Sequence, residues 1–293
     1  MNEAVQECLS KLSVSPSDLP TRYELFWPIC LREKLFVACV IDIENRDDLN
    51  LVAKIGRGTQ IENERKCLTK MNEIDRILKD SKDQNLDRLS LVQAITLKDE
   101  WVLLIERPYA GGGEFKTLNK IQPKLITLYA DRLCDHIKML WDRYGLLHMD
   151  IKPSNIIIKY PDIPLLIDFG LSVFLNETPC LVDGWSTSYS SKNQQNLGDP
   201  CKWDDVEALC NTFYAMELGV KLYEQLYVDG PPDFQFIYRE SSIVRRIVDK
   251  LISSYHQILV HFLQNLPCLA PFHADNNHDQ RIFRIIVDYV TEI

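Results

Sequence analysis

The sequence predicts an α+β fold, with a strand-rich first part of about 110 residues followed by a helix-rich remainder. Three observations lead there. Four short runs rich in apolar and β-branched residues, at 34–42, 50–55, 89–97 and 101–106, all fall in the first part. From Ile126 onward, apolar residues recur at three- and four-residue spacing, as on one face of a helix. Between the two parts lies 107–115 (RPYAGGGEF), whose proline and three glycines read as a hinge.

Taken in order, residues 1–20 read as a short helix and a loop carrying Pro16 and Pro20, an extension to the domain that follows. The strands 34–42 (KLFVACVID) and 50–55 (NLVAKI) are joined through the polar ENRDDL, a hairpin connection. Residues 60–78 carry charge with interspersed Ile61, Leu68, Met71 and Ile74 and read as one helix. The strands 89–97 and 101–106 are separated by a tight polar KDE. A long helix then presents Ile126, Tyr129, Ala130, Leu133, Cys134, Ile137 and Trp141, with Gly145 as its stop. Two short apolar runs, 156–158 and 165–167, precede a mainly helical stretch from Trp203 onward.

Composition bounds the function. The 293 residues are 46% hydrophobic and 26% charged, as in a folded chain. The net charge of -9 argues against nucleic acid or an anionic membrane as a partner, because both select Lys/Arg-rich faces. Nine cysteines with no C-x-x-C pair speak against a zinc ribbon or a disulfide framework. Reduced thiols fit a cytoplasmic or nuclear setting. The first twenty residues lack the basic start and apolar core of a signal peptide. No apolar run approaches the ~18 residues of a membrane span.

The residues that carry chemistry are concentrated in two places. His148-Met149-Asp150-Ile151-Lys152-Pro153-Ser154-Asn155 is followed, after a strand–turn–strand, by Asp168-Phe169-Gly170. This pair, in this order, resembles the catalytic loop H-R-D-x-x-x-x-N and the D-F-G motif of eukaryotic protein kinases. The resemblance covers about residues 23–290 when the flanking motifs are followed along the chain. It implies a bilobal fold: a small antiparallel N-lobe over about 21–107 and a larger helical C-lobe over about 108–293, bounds taken from the motif order. It also implies transfer of the γ-phosphoryl group of ATP, with magnesium, to a protein hydroxyl.

Each implied role rests on a matching position. Asp150 stands where the base accepts the substrate's proton. Asn155 and Asp168 supply the hard oxygens that magnesium prefers. Lys152 is the form of the loop that serine/threonine kinases carry, where it contacts the transferred phosphate. Lys54, within the strand NLVAKI, resembles the lysine that pairs with the α- and β-phosphates. Its carboxylate partner is expected on the following helix. Glu62 and Glu64 compete, and Glu64 is preferred because Leu68 lies one turn on. Ile105-Glu106-Arg107-Pro108 resembles the gatekeeper and hinge that hold adenine, with Pro108 lacking an N–H. Ile29, Val37 and Val52 complete the implied nucleotide site. Asp205, in Trp203-Asp204-Asp205-Val206-Glu207-Ala208-Leu209, resembles the buried aspartate tied to the catalytic loop; an N-cap is the plain alternative. The D-D-x-E-A-L string and 184–191 (GWSTSYSS) are similar to the casein-kinase-one and vaccinia-related group. His148 reads as a packing residue of the loop, and the other histidines as core or surface groups.

The pattern also departs from the family. Ile29-Cys30-Leu31-Arg32-Glu33-Lys34-Leu35-Phe36-Val37 contains no glycine where G-x-G-x-x-G-x-V is expected. Val52 stands where a small alanine normally lies over adenine, unless the register shifts by one to Ala53. Met149 replaces the arginine that binds an activation-segment phosphate. Two other readings stay in view. A scaffold without catalysis fits the missing glycines. A small-molecule phosphotransferase shares the Asp…Asn…Asp arrangement, but Lys152-Pro153 and Phe169-Gly170 speak against it. An active serine/threonine kinase, acting as a monomer on a protein, accounts for the most residues.

Overall fold

The computed structural model describes residues 2–46, 51–78, 88–107, 123–159, 163–175, 177 and 186–252. The expected position Pro108 and Gly184 of the 184–191 string lie outside them, as do most of the 107–115 hinge and His256, His261, His273 and His278.

The first part opens with α1 (Glu3–Lys11) and forms one antiparallel sheet from β1 (Tyr23–Arg32), β2 (Leu35–Asp42), β3 (Leu51–Gly56), β4 (Ser90–Thr96) and β5 (Val102–Arg107), in the order β1-β2-β3-β5-β4. The strand period of two sorts the side chains onto two faces. Phe36, Ala38, Val40, Leu51, Ala53, Ile55, Leu103 and Ile105 bury one face against Val5 and Leu9 of α1 and Leu12 just after it. Val37, Val52, Lys54, Leu104 and Glu106 therefore share the other face, as the pairs Val37↔Lys54, Lys54↔Leu104 and Val52↔Glu106 require. Part of this second face is covered by α2 (Thr59–Ile77), whose Ile61 packs on Val102 and Leu104.

The strand β1 was not among those read from the sequence. It is an edge strand with irregular pairing between Leu25 and Trp27 and between Pro28 and Cys30. Proline is tolerated at such an edge, but it breaks the alternation by which strands are read.

The second part is built on α3 (Pro123–Tyr144), which ends at Gly145 with φ +62°, a conformation that favours glycine. Two short antiparallel pairs follow: β6 (Leu146–Leu147) with β9 (Val173–Phe174), and β7 (Ile156–Lys159) with β8 (Ile163–Leu166). Then come α4 (Lys192–Gln195), α5 (Lys202–Leu218), α6 (Val220–Leu226), α7 (Phe234–Glu240) and α8 (Ser242–Ile252). The helix α5 is buried over most of its surface and is the axis of the core; Val206, Leu209 and Phe213 are fully buried beside Leu133 and Ile137 of α3 and Val244 and Val248 of α8. Two ion pairs, Arg246–Asp131 and Lys250–Asp135, stitch α8 to α3 at the surface. No helix among the described residues is long and apolar enough to cross a membrane.

The two parts are joined by Asp75 near the end of α2. Its carboxylate accepts from Arg88, from Arg143 Nε at 2.8 Å and from the Tyr144 hydroxyl at 2.8 Å. These partners hold its carboxyl below the usual range against the opposing effect of burial. Arg88 is itself buried, so losing Asp75 strands a charge away from water. Asp75→Ala should cost about 3 kcal/mol, as for a buried pair broken on one side. Glu62→Ala, which breaks the half-exposed Glu62–Arg65 pair, should cost under about 0.5 kcal/mol. Urea unfolding midpoints decide; equal losses would show that Asp75 is an ordinary surface acceptor.

Candidate active site

The loop after β6 is held from beneath by Asp205. Its carboxylate, fully buried in the first turns of α5, accepts from the backbone N–H of His148 at 3.0 Å and Met149 at 2.9 Å, and from Trp141 Nε1 at 3.0 Å. The N-terminus of α5 is capped instead by Cys201 and Asp204, so Asp205 serves the loop and not the cap. Such anchoring lets Met149 adopt φ +65°, which a branched or bulky side chain reaches only when its surroundings impose it. Thr212 Oγ1 donates to Ile151 O at 3.2 Å and Ser172 Oγ to His148 O at 2.9 Å. The imidazole of His148 packs on Phe169 with ring centroids 5.0 Å apart and bonds Ile167 O at 3.1 Å. Burial lowers its pKa, as expected of a packing residue.

On this platform Asp150 sits among donors. Lys152 Nζ reaches its Oδ2 at 2.6 Å and Asn155 Nδ2 reaches the same atom at 2.8 Å. Asn155 Nδ2 also donates to Asp150 O at 2.9 Å. The Ser186 hydroxyl donates to Asp150 Oδ1 at 2.6 Å and accepts from Lys152 Nζ at 2.7 Å. An aliphatic hydroxyl thus lies between the carboxylate and the ammonium. Ser186 lies in the 184–191 string, to which the sequence assigns no contact with Asp150. Nothing local distinguishes it from the hydroxyls at 187–191, and only the fold brings it to Asp150.

The second half of the site centres on Lys54. It bonds Glu64 and lies 3.0 Å from Asp168 Oδ1. Glu64 also accepts from the Phe169 N–H at 3.1 Å. Of the two competing glutamates, Glu62 instead pairs with Arg65 at the surface. Burial alone would lower the pKa of the Lys54 ammonium, but Asp168, Glu64 and Glu106 together hold it above its ordinary value. Lys54 in turn outweighs the burial of Asp168 and holds that carboxyl at about 2. Asp168 takes φ +68°. A Cβ on Gly170 would meet Gln60 Cβ at 3.2 Å and Asp168 Oδ1 at 3.3 Å, so glycine lets α2 approach closely. Asn63 Nδ2 ties α2 to Gly170 O at 3.0 Å and Ser172 O at 2.8 Å. One turn further along α2, Lys66 and Lys70 both clasp Glu177.

Above these groups the turn between β1 and β2 borders a cavity of about 390 Å³, lined by Arg32, Lys34, Lys54, Gly56, Gln60 and Asp168 among others. Cys30, Arg32 and Leu35 stand where glycines were sought, and Glu33 borders the cavity between Arg32 and Lys34. Ile29 is exposed on the edge strand, while Val37 and Val52 lie on the cleft face. Ala53 points the opposite way and is fully buried against the α1 side, so the register is not shifted and Val52 keeps the cleft position. Glu106, opposite Val52, is only 6% exposed.

Among the described residues, no group of three or more His, Cys, Asp or Glu is arranged as a metal cluster. The donor set fits a hard cation all the same. The Asn155 amide hydrogens go to Asp150, so its oxygen is not engaged by that residue, and Lys54 bonds Oδ1 of Asp168. Two protein oxygens are what a magnesium ion needs when phosphates supply the rest.

A protein kinase domain model matches residues 37–192, more than half of the chain and a span containing Lys54, Glu64, Asp150, Lys152, Asn155 and Asp168. A curated protein of Encephalitozoon cuniculi (strain GB-M1), described as a probable cAMP-dependent protein kinase catalytic subunit, is 30% identical over 127 residues. That match takes in 42% of this chain and 36% of the relative, so the chain spans little more than a third of the relative's length. A lysine salt-bridged to a helix glutamate and to Asp168, an asparagine-braced Asp150 and the extent of the match agree, and the chain belongs to the protein kinase domain family.

Proposed function

We propose that the chain is a serine/threonine protein kinase that uses ATP and magnesium, acting as a monomer inside the cell, with its catalytic unit over 21–293. The observation that carries this reading is the hydroxyl of Ser186 held between Asp150 and Lys152. A substrate serine or threonine presenting its Oγ at that place would give its proton to Asp150 while Lys152 neutralises the phosphoryl oxygens. Lys54, steadied by Glu64, would hold the α- and β-phosphates. Asn155 and Asp168 would hold magnesium, which when bound neutralises charge on the phosphate oxygens. Arg32 and Lys34 line the cavity where backbone amides of a glycine-rich loop would otherwise lie. The roof over the base would come from Ile29, Val37 and Val52, with Glu106 and Pro108 at the hinge.

The test is transfer of label from radiolabelled ATP to casein and to a basic protein, followed by phosphoamino-acid separation. Label should appear on serine or threonine. Asp150→Asn should lower the rate by at least about 10²-fold, the share of a general base. Asp168→Ala, or chelation of magnesium, should abolish transfer. Unaltered transfer by Asp150→Asn would remove the proposed base. The missing glycines favour a second reading, a binding module without catalysis; absence of both transfer and ATP binding would establish it.

A second expectation concerns activation. Met149 cannot clasp a phosphate, and Gln194 Nε2 instead bonds Met149 O at 2.9 Å. Glu177 is likewise held by Lys66 and Lys70, with no phosphate involved. Phosphatase treatment should leave the rate unchanged; a large loss traced to residues 171–191 would contradict this.

A further inference from the structure

The hinge position given to Glu106 leaves its side-chain carboxyl without a part in phosphoryl transfer. It stands at the end of β5, directly opposite Val52 and on the face that carries Lys54. Its side chain is 94% removed from solvent, being 6% exposed, and Oε1 has no hydrogen-bond partner among the described residues. A buried oxygen left unsatisfied is costly, and a donor supplied by a ligand would remove that cost. Its charge supports Lys54, but the hydrogen bonds of that ammonium go to Glu64 and Asp168.

Position narrows the ligand. Lys54 and Val52 are two residues apart on β3, so Glu106 sits about 7 Å along the sheet from the lysine that would grip the phosphates. Val37 and Val52 share that face and offer an apolar ceiling. A nucleotide with its phosphates at Lys54 and its base under the valines brings the base edge to Glu106. Building on the kinase reading above, we propose that Glu106 is a specificity residue whose Oε1 accepts a hydrogen bond from the exocyclic amino group of the purine base. The neighbourhood suits this role. Burial, and then the nearby Glu64 charge, raise the Glu106 carboxyl well above its ordinary range, which favours the protonated form. In either protonation state one oxygen keeps a lone pair for an N–H.

The experiment compares ATP with purine riboside triphosphate, which differs only in lacking the amino group. Binding to the full chain is measured by titration calorimetry, with no transfer required. Wild type should prefer ATP by about 10- to 100-fold, the range expected when a buried acceptor is left unpaired. Glu106→Met should close that gap, mainly by weakening ATP binding. Glu106→Gln, which is isosteric and keeps an amide oxygen, should retain most of the preference and serves if the methionine variant fails to fold. Equal preference in wild type and Glu106→Met would overturn the assignment while leaving the kinase reading intact. Failure of both triphosphates to bind wild type would refute the kinase reading itself, and this one with it.

Discussion

The structure depends on one ammonium group taken out of water. Lys54 is buried on the sheet, and stripping its hydration costs several kcal/mol unless opposite charge lies against it. Glu64 and Asp168 supply that charge from two other places, the middle of α2 and the stretch between β8 and β9. Three segments far apart in the chain must therefore meet for any one of them to be stable. The Phe169 N–H bonded to Glu64 closes the ring of contacts, and Asn63 and the absent Cβ of Gly170 let α2 come close enough for it to form. Asp205 plays the matching part in the helical half, where one buried carboxylate satisfies two backbone donors and an indole.

Much of this was legible in the sequence because the site motifs occupy short, contiguous stretches whose chemistry does not depend on the rest of the chain. Lys54, Asp150, Asn155 and Asp168 converge as their order along the chain implied. Glu64 was separable from Glu62 by helical phase, since 61, 64 and 68 share one side of α2 and all three are buried. The question of Val52 or Ala53 was not separable, because a one-residue slip exchanges the faces of a strand and only the pairing with β2 and β5 decides it. The edge strand β1 escaped notice because Pro28 and two irregularities erase its period. Ser186 escaped because its role is a juxtaposition across 36 positions of the chain.

The departures from the family pattern collect around the places where charge is handled. Glycines that would offer backbone amides give way to Cys30, Arg32 and Leu35, and Arg32 and Lys34 border the cavity. An arginine that would await a phosphate gives way to Met149, whose carbonyl is bound by Gln194. Glu177, with Lys66 and Lys70, links α2 to the stretch after β9. These contacts are half-exposed and individually weak, at most about 1 kcal/mol each, so their value lies in orientation more than in stability.

The helix α1 has a mechanical consequence. Val5 and Leu9 are wholly buried against the side of the sheet remote from Lys54. A layer of strands backed in this way resists flexing within itself, because bending would shear a close-packed seam. Any widening of the cleft must then swing sheet and backing helix together as one plate, with the pivot outside both.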